Sequence, residues 1–230
     1  MFGLLFGGLC AVGSLFGSIG SAIGGAITSL GSLVLPIGEK IFSTIGALAV
    51  ISKSMGIIER EEEAEELGVR ATIAAQENEL KPEDFNSYKE YIERLREIDD
   101  KKVRDNLENL SEKEKQEFAV VGMRLLSNAI EESTGIEISN EAIEMIGKLE
   151  LNGKQCDNLI KSCANNNVDS LGDIKKYLQD EIPGNKVDNC NNALKEAILS
   201  DNPEATNEDI GNKIKEFTKK CQEICSEDKG

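Results

Sequence analysis

From Met1 to Gly38 the sequence carries no charged side chain, and through Ile57 it adds only Glu39, Lys40 and Lys53. A run this apolar has two destinations, a lipid bilayer or an equally dry protein interface. A polar break at Gly38, Glu39 and Lys40 divides it in two, the pattern of a helical hairpin. Leu15 to Leu35 would make a helix of about 31 Å and Ile41 to Ile58 one of about 27 Å, against a hydrocarbon core about 30 Å thick. These lengths predict a membrane-inserting hairpin over residues 1–58. Residues 2–14 then serve as an interfacial lead-in or extend a tilted first helix. The competing reading is a hairpin buried at the centre of a helical protein. No Lys or Arg precedes Lys40, so the positive flank of a cleavable signal peptide is missing and none is expected.

Small residues recur through this head at every fourth position: Gly13, Gly17, Ser21, Gly25 and Ser29. At helical spacing they form one smooth stripe, with Leu15, Phe16, Ile19, Ile23, Ile27 and Leu30 on the other faces. The pattern resembles that of glycine-zipper membrane segments, and Gly3, Gly7, Gly20 and Gly24 repeat the spacing. Such a stripe lets two helix backbones pack closely where lipid offers no hydrophobic drive, which implies self-association into a homo-oligomer. In water each of these glycines would weaken a helix by about 1 kcal/mol relative to alanine.

The net charge is −16, and since residues 1–57 carry +1, the remainder carries −17. That surface repels phosphate backbones and anionic headgroups, so nucleic acid is not an expected partner and a charged protein partner would be basic. Histidine is absent, which excludes Ser-His-Asp and Cys-His catalysis, His-containing zinc sites and the Glu-x-x-His di-iron motif. No nucleotide-binding glycine loop and no intact calcium loop occurs, and no cofactor or metal is expected.

Beyond residues 59–81, read as an acidic linker or helical extension stopping near Gly68, residues 82–230 read as an acidic multi-helix domain. Phe85, Tyr88, Ile92 and Leu95 share one helical face; Val103, Leu107 and Leu110 share a second. Ser111 with Glu114 is a capping box opening a longer helix that closes near Gly135. Ile138 before Ser139 opens another over 140–151, with Asn152-Gly153 as its stop. The last third holds a weak repeat. Cys156 to Cys163 resembles Cys190 to Ala197, and each is followed by a capped second helix, at Ser170 and at Thr206. No segment alternates with period two, so the fold class is all-α: a glycine-zipper hairpin, then an acidic helical domain ending in two similar helical hairpins.

Of six cysteines, Cys156, Cys163, Cys190, Cys221 and Cys225 fall in the last third without a C-x-x-C pair. Their place on core-facing stripes predicts reduced, buried thiols. Lys53 interrupts the apolar head near its end. It reads either as an intramembrane or interfacial charge or as a lysine snorkelling to the surface. The functional expectation is a non-enzymatic membrane-inserted protein, a scaffold, adaptor or pore former. Its acidic domain is expected in the cytoplasm, from Lys53 and Arg60. The alternative is a structural subunit of a large viral or secretion-type assembly, its head buried in protein contacts.

Overall fold

The computed structural model describes residues 40–58, 64–77 and 80–222. The protein is all-α, with ten α-helices and no strand among the described residues. The stripe Gly13, Gly17, Ser21, Gly25, Ser29 lies outside them. The described residues form two compact units, one of residues 52–129 and one of residues 40–51 with 130–222.

The second half of the expected hairpin is α1, Lys40–Ser54. It has 15 residues, a rise of about 22 Å, and stops short of the expected Ile58. Gly56 ends it in the left-handed conformation (φ +67°), with Gly56 N–H donating to Lys53 O at 3.0 Å and Ile57 N–H to Ser52 O at 2.8 Å. This paired closure needs a residue at positive φ, which glycine adopts without strain. Leu48 and Ile51 are completely buried, while Lys53 is exposed in the last turn. No helix among the described residues is long and apolar enough to cross a membrane.

In the first unit, α2 (Ala64–Glu77) packs against α3 (Tyr88–Leu95) and α4 (Asp100–Glu108). Gly68, expected as a stop, lies inside α2 because a close crossing requires it. A Cβ on Gly68 would overlap the Phe118 carbonyl of α5 (Glu112–Thr134), and one on Gly122 would overlap the Ala64 carbonyl. Each helix thus yields at one turn to the other's backbone. Val69, Ile73 and Val103 form the adjoining core, with Phe118 against it. Arg70 is sealed within this unit. Its guanidinium donates to Ile98 O at 2.7 Å, and to Leu95 O and Arg96 O at 3.4 Å each, so it caps the end of α3. It also pairs with Glu66 at 2.6 Å and Asp100 at 2.5 Å.

In the second unit, α6 (Asn140–Leu149) is capped by Ser139. The expected stop at Asn152-Gly153 is a start instead. Asn152 Oδ1 accepts from Gln155 N–H at 3.0 Å, and Gln155 Oε1 accepts from Asn152 N–H at 3.1 Å, a reciprocal box opening α7 (Gly153–Asn165). Glu150, at φ 55°, closes α6. Ser170 caps α8 (Leu171–Leu178) through Gly172 N–H, while Asp173 turns away to pair with Lys186 at 2.7 Å. α9 (Val187–Asp201) and α10 (Asn207–Gln222) follow. The four helices expected as two hairpins are present, and α9 and α10 pack on each other, but α7 and α8 are not packed together as a hairpin. They pack with α7 along α9 and α8 along α10, and α6 lies under α8 and α10.

Candidate functional site

α9 presents Leu194, Ala197, Ile198 and Asp201 at helical spacing i, i+3, i+4, i+7, and α10 presents Asp209, Lys213 and Phe217 at i, i+4, i+8. Between these walls, α7 and the end of α6 lies a groove of about 310 Å³. Leu149, Leu151 and Leu159 complete its apolar floor. Local chemistry holds the walls in place. Thr206 and Asp209 form the box that starts α10, with Asp209 Oδ2 accepting from Thr206 N–H at 2.9 Å and from its hydroxyl at 2.7 Å. Those bonds hold the Asp209 carboxyl below its ordinary pKa. At the middle of the groove Lys213 Nζ lies 4.9 Å from the centre of the Phe217 ring and bonds Glu216 at 2.9 Å.

Charge gathers at one end. Asp201, Glu204, Glu208 and Asp209 all sit at the α9–α10 turn and are exposed. Asp201 accepts from Gln155 Nε2 at 3.1 Å and has Lys154 at 3.6 Å.

Other polar groups of this unit serve its packing. Glu144 on α6 takes Lys175 of α8 at 2.5 Å and Lys148 one turn along α6. Burial by itself would raise its carboxyl pKa, but the two lysine bonds outweigh it and the net displacement is downward. Cys156, Cys163, Cys190 and Cys221 are free and buried, as their stripes foretold. Burial pushes Cys156 and Cys163 up to about 12 and Cys190 to about 11, far from the thiolate a nucleophile requires. A second, polar hollow lies where α6 and α8 begin, among Glu137, Ser139, Asp169, Ser170 and Lys186. The Asp173–Lys186 pair borders it. No cluster of His, Cys, Asp and Glu with metal-binding geometry occurs among the described residues.

Of the residues singled out from sequence, the small-residue stripe lies outside the described residues, and Lys53 is exposed and does not line the groove. Sequence reading missed the groove because Leu194, Ala197 and Ile198 look like any core stripe. Its trace was their position just ahead of the acids Asp201, Glu204, Glu208 and Asp209. Arg70 was missed too, although a lone arginine in the run Val69 to Ala75 was a legible signal. No protein family, characterised protein or solved structure matches the chain.

Proposed function

We propose that this chain is a non-enzymatic, membrane-inserted adaptor that self-associates through Gly13, Gly17, Ser21, Gly25 and Ser29 and presents an acidic helical body to a protein partner. The charge boundary carries the reading: no charged side chain precedes Glu39, and −17 of charge follows Ile57. Insertion rests on the residues before Lys40, since α1 buries Ile45, Leu48 and Ile51 within protein. The body fits an adaptor because its described thiols are buried and the inward-facing Lys175 and Arg70 are held by carboxylates. It also offers an open apolar groove. The acidic body lies on the cytoplasmic side of the membrane in this reading.

A second reading, a subunit of a large assembly with the head sunk in neighbouring chains, draws on the same burial of α1. Gly-rich apolar segments suit a protein interface as well as lipid.

Fractionation separates the two. The full chain and a chain beginning at Gly38 are expressed, and membranes are washed with high salt and carbonate. On the adaptor reading the full chain leaves the pellet only in detergent, whereas the shorter chain is in the supernatant with its helical circular dichroism intact. A full chain released without detergent overturns membrane insertion, and a large native mass then favours the assembly.

A further inference from the structure

We infer that the groove between α9 and α10 receives an amphipathic helix of a partner protein, one bearing two or three large apolar anchors and a cluster of Lys or Arg at one end. The inference deepens the adaptor reading, on which it rests for the premise that the body binds rather than catalyses. Length comes first. From Asp209 to Phe217 the α10 wall spans nine residues, a rise of about 12 Å, which matches two turns of a docked helix. Helix-in-groove recognition uses anchors at i, i+3 or i+4 and i+7, which two turns supply. Volume agrees, because about 310 Å³ admits a few large side chains and no bulkier domain.

Charge then selects the occupant. The floor is apolar, while the α9–α10 turn bears Asp201, Glu204, Glu208 and Asp209, with Lys154 set against Asp201. A lipid headgroup layer that is anionic would be repelled there, and so would an acidic helix. A basic end placed over that turn gains both steering and register, with its apolar anchors seated on Leu194, Ile198 and Phe217. Ala197 and Ala205 keep the mouth open, since larger residues at either place would occupy the space of an anchor.

The test uses the full chain in a non-ionic detergent. A fluorescein-labelled eighteen-residue peptide with leucines at i, i+3, i+4 and i+7 and lysines clustered at one end is titrated by fluorescence anisotropy, beside a twin with every lysine replaced by glutamate. The expected result is saturable one-to-one binding of the lysine peptide, with the glutamate twin at least about tenfold weaker. Ala197→Phe, which fills the groove, and separately the double substitution Glu204→Lys and Glu208→Lys, which reverses exposed charge, should each weaken binding by about tenfold or more. Circular dichroism confirms that each variant is folded. Equal binding of both peptides, undiminished binding to Ala197→Phe, or no binding at about 100 μM overturns the proposal. None of these outcomes depends on whether the head enters a membrane, which the fractionation reads separately.

Discussion

At Arg70 a fully buried guanidinium spends its donors on three backbone carbonyls and two carboxylates. Burial alone would lower its pKa, but the bonds to Glu66 and Asp100 reverse that and leave it raised. Arg70→Met would strand the carbonyls at the end of α3 and the two acids. Because Asp100 is itself more than half exposed, solvent screens part of the loss, and a destabilisation of about 2–4 kcal/mol is expected in urea unfolding. Arg70→Lys should recover little, since a single ammonium cannot reproduce the planar fork that reaches both α3 and Asp100. A variant within about 0.5 kcal/mol of the parent would remove the clamp from the account. The arginine was visible in the sequence, but of its partners only Glu66 lies within a turn of it; the others lie 25 to 30 positions away, and only the turn between α3 and α4 brings them to it.

Helix ends show a related limit at the next scale. The capping boxes at Ser111 and Thr206 formed as read, because both partners lie within one turn of sequence. The stops were harder to see. Glu150, Asn167 and Asp180 take the left-handed position that ends α6, α7 and α8, and none is the glycine that usually announces such an end. Glycine misled in the opposite direction at Gly68, whose role is the crossing of α2 with α5. Two substitutions separate these roles. Gly122→Ala pushes a methyl into the Ala64 carbonyl and should destabilise by about 1–3 kcal/mol or more. Gly211→Ala on α10 meets nothing within 4 Å and should stabilise by about 0.5–1 kcal/mol. Thermal or urea unfolding reads both, and equal effects at the two sites would contradict the close crossing.

Over the whole molecule, the response to acid has two opposing parts. Protonation relieves the self-repulsion of a −16 chain, yet it also discharges Glu144, the carboxylate that ties α6 to α8. Since the folded pKa of Glu144 is depressed, its contribution is complete above the ordinary carboxylate range, near pH 4.3 (about), and is lost as pH falls through the folded value. Comparison with Glu144→Gln isolates it. The parent should be more stable at pH 7, and the difference should be constant down to about pH 5.5 and shrink below that. A difference independent of pH would mean that the lysine bonds contribute nothing to folding. The sequence by itself determined the all-α class, the helix starts at Ser111, Ser139, Ser170 and Thr206, the burial of Cys156, Cys163, Cys190 and Cys221, and the charge boundary near Glu39. These follow from periodicity, from contacts within one turn and from composition, all local along the chain. Only the tertiary structure decided that α1 packs Leu48 and Ile51 into protein, that Gly68 and Gly122 serve a helix crossing, that Arg70 is a clamp, and that one apolar stripe of α9 lines an open groove. Each of those depends on residues far apart in sequence meeting in space, and an apolar stripe reads the same whether another helix covers it or not.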